Sequence, residues 1–293
     1  MPLYVISPWS RGGWVNSQVF DHTSVGQFLG RRFGITVPAT SPWHRAVCGD
    51  LTSAFDFSRP NEASFPSLPH VDHSDATIAA INQLPKPSPP ATPERLFQEL
   101  GVRPSRALPY VLRVQARAQL HANKLTLSFH NTGLVGAVFH VYDKLHLNRI
   151  PRRYTVEMGK ALADDWLLGA DGGRYDLWVY GPNGFVREFR GVLRGSTGAT
   201  PEISLEYDVE NRSVRMLATN EGHHAATLEV WANAYRSDGP WKLSVPPGRR
   251  VIREWSLVAS HEWYDFTVTG DYFQRRFAGR METGTPGLSD PAV

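Results

Sequence analysis

The sequence predicts a mainly β protein, with two tandem small β-sandwich domains preceded by a short α/β segment. Three observations carry that prediction. An internal repeat runs through the second half: Asn131-Thr132-Gly133 recurs as Asn220-Glu221-Gly222, Gly159 as Gly248, Tyr175-Asp176 as Tyr264-Asp265 and Gly181 as Gly270, each pair 89 residues apart. Within each copy apolar and polar residues alternate, so that one face of each strand is buried. A proline-dense stretch, Leu84-Pro85-Lys86-Pro87-Ser88-Pro89-Pro90, can form neither helix nor central strand and marks a boundary before the repeats.

Taken from the N-terminus, Leu3-Tyr4-Val5-Ile6-Ser7 reads as an interior strand of a parallel sheet. It begins two residues after Met1 with nothing upstream to pair with it, so the chain is expected to be the tail of a larger protein. Beyond Arg11-Gly12-Gly13 comes a helix with Val25, Phe28 and Leu29 on one face, and Asp21, Thr23 and Ser24 are its candidate caps. One strand and one helix bury too little surface to fold alone. Residues 1–57 are therefore expected to be a remnant of an α/β domain, and 58–106 a Pro-rich connector with a helical turn at 75–83 and another starting near Thr92-Pro93-Glu94-Arg95-Leu96. The repeats are placed at 107–193 and 202–283, with a tail at 284–293. The register slips by one only where Phe189-Arg190-Gly191 matches Phe277-Ala278-Gly279.

In the first copy Leu125, Leu127 and Phe129 alternate with Lys124, Thr126 and Ser128; Val214, Met216 and Ala218 stand in the matching places of the second. An Asn-x-Gly turn follows each. Next come strands at 137–142 and 228–231, at 154–157 and 241–245, and at 175–179 and 264–268. Short strands separated by Gly- and Pro-bearing turns predict two small sheets packed face to face in each copy. Each Tyr-Asp pair reads as a corner in which the phenol hydroxyl bonds backbone.

At 293 residues, 41% hydrophobic and 11% aromatic, the chain is composed like a core-forming globular protein of two domains. Its 31 basic and 28 acidic side chains give a net charge of +3, and the basic residues occur as scattered pairs such as Arg31-Arg32 and Arg275-Arg276. That pattern argues against nucleic acid and leaves anionic lipid open. No stretch reaches the ~18 apolar residues of a membrane span, and the N-terminus lacks the basic-then-apolar pattern of a signal peptide. The single cysteine, Cys48, reads as a packed thiol.

His70-x-Asp72-His73 has metal-ligand residue types but lies in the Pro-rich connector with nothing nearby to complete four ligands, so it reads as solvated loop. His44 and Cys48, four apart, suit one helical face without making a site. His223-His224 follows a turn where polar residues are expected. Asp21 and His22 are the candidate catalytic pair, because they stand between a strand's carboxyl end and a helix N-terminus, where α/β sheets place their sites; the alternative is that they orient or cap that loop. No cofactor-binding motif is present.

Val5-Ile6-Ser7-Pro8-Trp9, Gly13-Trp14-Val15, Phe20-Asp21-His22-Thr23-Ser24 and the run from Arg45 to Phe57 resemble the end of the catalytic domain in bacterial phosphocholine-specific phospholipases C, a phosphoesterase family with an alkaline-phosphatase-like fold. The likeness continues through Arg149-Ile150-Pro151-Arg152-Arg153-Tyr154 and Gly173-Arg174-Tyr175-Asp176-Leu177-Trp178-Val179 and so covers nearly the whole chain. The resemblance implies a secreted or periplasmic enzyme that hydrolyses phosphatidylcholine or sphingomyelin with a divalent metal. It also implies that the nucleophile and metal ligands lie upstream of the matched segments, so this chain holds no cofactor and is inactive alone. Its expected partners are the N-terminal catalytic segment and a phospholipid or membrane surface, with the sandwiches supporting or orienting the catalytic domain there. Two alternatives remain: a lipid- or carbohydrate-binding module using rings such as Phe139, Tyr142, Trp178, Tyr180, Phe185, Trp231, Tyr235 and Trp241, and a truncated product with no activity of its own.

Overall fold

A computed structural model describes residues 3–38, 40–58, 74–93, 100–193 and 201–292. The chain is mainly β. The first repeat contributes β2 (Leu112–Gln119), β3 (Lys124–Asn131), β4 (Ala137–Asp143), β5 (Arg152–Val156), β6 (Lys160–Leu167), β7 (Arg174–Tyr180) and β8 (Val186–Val192), after a short β1 (Pro104–Ser105). The second contributes β9 (Pro201–Asp208), β10 (Ser213–Asn220), β11 (Ala226–Ala232), β12 (Trp241–Val245), β13 (Arg250–Ser256), β14 (Trp263–Gly270) and β15 (Phe273–Arg280), and β16 (Gly287–Leu288) pairs with β1.

Strict alternation drives these strands. β3 buries Leu125, Leu127, Phe129 and Asn131 and turns Lys124, Thr126, Ser128 and His130 outward. Those apolar side chains meet Phe139, Val141, Leu177 and Val179 of the facing sheet to form one core, and Val214, Met216, Leu228, Val230, Phe266 and Phe277 form the corresponding core in the second repeat. Asn131 and Asn220 close the two cores in the same way. Each side-chain amide donates to two carbonyls (Val135 and Val156; His224 and Val245), and each side-chain oxygen accepts the amide two residues on, from Gly133 and Gly222.

The expectation of two separate sheet pairs needs one correction. β2-β3-β6 and β9-β10-β13 are separate three-stranded sheets, but the facing sheets are joined into one of eight strands in the order β12-β11-β14-β15-β8-β7-β4-β5. The joint is the antiparallel pair β8·β15, in which Arg187 faces Phe277, Glu188 faces Arg276 and Phe189 faces Arg275. Sharing that seam pairs two strands that would otherwise be open edges.

The N-terminal segment departs from expectation. Residues 3–6 form no strand, and Tyr4 and Ile6 are 85% and 97% exposed, because no strand among the described residues lies beside them to supply ladder hydrogen bonds. Helix α1 (His22–Phe33) forms as expected, yet Val25 and Leu29 on its apolar face are exposed and Phe28 stacks on Phe55. Helices α2 (Pro42–Val47) and α3 (Asp75–Asn82) are the other α-helices among the described residues. The segment is tied to the first repeat by Val19, whose amide donates to the Tyr110 hydroxyl, by the Gly136 amide donating to Ala46 O at 2.7 Å, and by Trp43 Nε1 donating to Thr155 Oγ1. Gly136 permits this approach: a Cβ there would stand 2.8 Å from the Ala46 carbonyl oxygen. The helix start expected at 92–96 and His70, Asp72 and His73 lie outside the described residues, wholly or in part.

Candidate functional site

Asp21 is the N-cap of α1. Its Oδ1 accepts from the Thr23 amide (2.8 Å) and hydroxyl (2.6 Å), while Ser24 Oγ accepts from the Asp21 amide, a reciprocal capping box. Its Oδ2 lies 3.4 Å from His44 Nε2, and His44 Nδ1 is held by Ser41 Oγ at 2.7 Å. The Cys48 thiol lies close enough to the Asp21 carboxylate for each to act on the other's titration. Burial by itself would raise the Asp21 carboxyl, but the Thr23 hydrogen bonds and the neighbouring His44 outweigh it and hold the group below its ordinary value. Cys48 moves the other way: burial, and then the Asp21 charge, push its thiol up to about 11, so it stays protonated and unreactive at neutral pH. His22 is exposed at the first helical position, with no hydrogen bond or ion pair among the described residues. The structure therefore joins Asp21 to His44 and Cys48 rather than to His22. The i, i+4 spacing of His44 and Cys48 was the only local trace of this cluster; its link to Asp21 spans more than twenty residues of sequence and carries no motif.

These donors do not suit a metal ion. Asp21 Oδ1 is engaged by Thr23, Cys48 is held as the thiol, and no group of three or more His, Cys, Asp or Glu side chains with metal-binding geometry occurs among the described residues. What the cluster does is clamp the start of α1 to the end of α2.

The seam between repeats holds the second constellation. Arg187 is fully buried and donates across the seam to Tyr264 Oη (2.9 Å), to Tyr207 Oη (3.3 Å) and to the Ala278 carbonyl; Arg275 donates reciprocally to Tyr175 Oη (2.9 Å) and the Arg190 carbonyl. Phe185 and Phe277 flank the Arg187 guanidinium, and Phe189 and Phe273 flank that of Arg275. The Tyr-Asp pairs are thus not corners bonded to backbone: each tyrosine receives an arginine from the other repeat. Gly191 leaves the room required, since a Cβ there would meet the Tyr175 hydroxyl at 2.5 Å. At the centre of the seam Arg276 binds Glu188 (2.9 Å) and Asp265 (2.7 Å). Beside Arg275 lies a cavity of about 350 Å³ lined by Ala118, Tyr175, Glu202 and His224; Glu202 Oε2 is buried there with no hydrogen-bond partner among the described residues, and burial raises its carboxyl.

The third lies on the outer face of the first repeat. Phe139 and Phe185 belong to the core, but Tyr142, Trp178 and Tyr180 project outward in edge-to-face contact, with the Lys144 ammonium 3.8 Å above the Trp178 ring. With His140 and Leu147 they line an open hollow of about 460 Å³.

Comparison with known proteins assigns the lineage. The model of the bacterial phospholipase C C-terminal domain matches residues 104–192 and again 201–280, and the phosphoesterase family model matches residues 1–36. The chain is 50% identical over 300 residues to the non-hemolytic phospholipase C of Pseudomonas aeruginosa, covering 100% of this chain and 43% of that protein. It is 44% identical to the non-hemolytic phospholipase C of Burkholderia pseudomallei and 40% identical to the hemolytic phospholipase C of Pseudomonas aeruginosa, again over 100% of this chain and 43% and 44% of theirs. The chain thus spans less than half the length of these curated relatives and aligns with their C-terminal part. By both repeats and by whole-chain identity, it belongs to the bacterial phospholipase C family, as its C-terminal portion.

Proposed function

We propose that this chain works as the C-terminal part of a phospholipase C that releases phosphocholine from phosphatidylcholine or sphingomyelin. Whole-chain alignment with three phospholipases C carries the reading. The reaction is assigned to a segment N-terminal to this sequence, where the nucleophile and a divalent metal would stabilise charge on the phosphate. Residues 1–57 complete that catalytic domain, 58–106 connect, and the repeats at 107–193 and 202–283 hold it at the lipid surface. Asp21 is read as a positioning residue that fixes the loop before α1 through Thr23, His44 and Cys48, with His22 beside it facing outward. The intact enzyme is read as exported.

The test is phosphocholine release from phosphatidylcholine by the 293-residue chain and by a protein extended upstream, each with and without divalent metal. Turnover only in the extended protein supports the reading. Turnover by the chain itself would move the chemistry into this sequence and make Asp21 and His22 the first residues to replace.

A further inference from the structure

The two repeats differ most at one end of the sandwich, where β4 leads into β5 and β11 into β12. In the first repeat this end carries Leu145, Leu147, Ile150 and Leu167, all exposed, Ile150 at 86% and Leu167 at 77%. The residues 89 positions on are Ala234, Arg236, Gly239 and Ser256. The loops have equal length, so loop geometry does not require the aliphatic side chains. In the second repeat the same loop is polar, with Arg236 paired to Asp238 and Tyr235 bonded to Asp290 of the C-terminal tail.

Cations surround the exposed aliphatics. Arg149 is exposed on the loop and Arg152 at the start of β5, and their partners Asp143 and Asp164 hold them in place. Arg153 is exposed and has no ion pair among the described residues. Lys144 stands over Trp178 on the adjoining ring platform. In the second repeat Asn233 replaces Lys144 and Thr267 replaces Trp178, and these two bond each other. Aliphatic tips, half-wet Trp and Tyr rings and exposed cations, of which Arg153 has no ion pair among the described residues, together match the interface of an anionic bilayer, where tips enter the headgroup boundary and cations meet lipid phosphates. The end also points away from the N-terminal segment, which is fastened at Gly136 and Thr155, the opposite end of β4, about 20 Å off for a seven-residue strand.

We propose that this end of the first repeat, centred on Leu147 and Ile150 with the Tyr142–Trp178–Tyr180 face beside it, is the surface by which the protein docks on anionic phospholipid membranes, and that the second repeat has no such role. The proposal rests on the phospholipase reading for its partner and names the face and the lipid charge.

The test is co-sedimentation of the 293-residue chain with phosphatidylcholine vesicles, with and without phosphatidylglycerol, at low and high salt. Wild type is expected to bind the phosphatidylglycerol vesicles, less at high salt; L147E/I150E should weaken binding by roughly tenfold or more. S256E, at the position equivalent to Leu167, should leave binding unchanged, while L167E should reduce it. Thermal melting of each variant separates loss of binding from loss of fold, these being surface positions. No binding by wild type, or equal binding by L147E/I150E, overturns the proposal. So does light scattering that shows a dimer broken by L147E/I150E, which would make the face a contact between copies. An upstream-extended protein that hydrolyses a water-soluble phosphocholine ester while the chain ignores vesicles would remove this proposal and leave the phospholipase reading intact.

Discussion

Asn131 and Asn220 make the same three hydrogen bonds 89 residues apart, whereas Glu188 and Arg276, equivalent across the seam, carry opposite charge. The first pair shows what the fold demands of each repeat separately. The second shows what their union demands. In the β8·β15 ladder Arg187 faces Phe277 and Phe189 faces Arg275, the same pairing exchanged, with Glu188 opposite Arg276 at the centre. Two identical copies would set like charges against each other there; divergence to Glu and Arg turns repulsion into an ion pair and selects joining of unlike repeats. The flanks have diverged too. Tyr207, bonded to Arg187, lines a cavity of only about 20 Å³, while Ala118, its equivalent, lines with Arg275 one of about 350 Å³.

The comparison can be broken most severely at the buried arginines. R187M takes the charged donor from the Ala278 carbonyl and from the Tyr207 and Tyr264 hydroxyls, which keep only each other at 2.6 Å, and should cost about 4 kcal/mol in denaturant unfolding. R275M takes the donor from Tyr175 Oη and the Arg190 carbonyl but opens onto an existing cavity, so it should cost less; equal losses would mean that Tyr207 adds nothing to the seam.

Next in size is the axis. R276E sets a carboxylate against Glu188 and Asp265 and should destabilise by about 3 kcal/mol. The double exchange E188R/R276E should recover part of that loss, because Arg at 188 meets Glu at 276 and also reaches Asp176, whose buried Oδ1 has no hydrogen-bond partner among the described residues. A double variant no better than R276E would refute charge complementarity as the reason for the divergence.

N131A and N220A should cost nearly the same, about 2 kcal/mol each, three hydrogen bonds being lost in either core. A difference much larger than that between their neighbours would show that the two turns are not energetic equivalents.

The smallest effect lies outside both repeats and serves as a reference. D21A should cost about 1 kcal/mol at neutral pH, the worth of an N-cap. Because the folded Asp21 carboxyl sits below its ordinary value, its contribution is present above the unfolded pKa of about 4 and is lost as pH falls through the depressed folded value. The stability gap between D21A and wild type should therefore close in acid, measured by thermal melting across pH 2 to about 7.

Much of this was legible in the sequence for local reasons. The strands at 125–129 and 214–218 show a clean period of two, Asn-x-Gly dictates its turn, and Asp21 is followed three residues later by the Ser24 that completes its cap. β6 left little trace, because it is an edge strand whose only buried residue is Trp166, so Lys160 to Leu167 shows almost no alternation. Leu3 to Ile6 misled in the opposite direction: apolar and β-prone, they lack a neighbouring strand among the described residues to pair with. The Tyr-Asp pairs stood out at once, but their partners Arg275 and Arg187 lie 100 and 77 residues away, beyond any local pattern.

The sequence alone determined the mainly β class, the doubled domain, a helix capped within Asp21–Ser24 and the lineage, all of which follow from spacing or from ordered runs of residues. Tertiary structure decided that the two sandwiches share one eight-stranded sheet, that Asp21 meets His44 and Cys48, and that Arg187 and Arg275 cross between repeats. It also decided which rings are core and which face outward beside Lys144. The division has a physical cause: turns, caps and strand periodicity are set by neighbours within a few residues, whereas a buried arginine or an exposed leucine acquires its meaning only from the surfaces that folding brings to it or leaves uncovered.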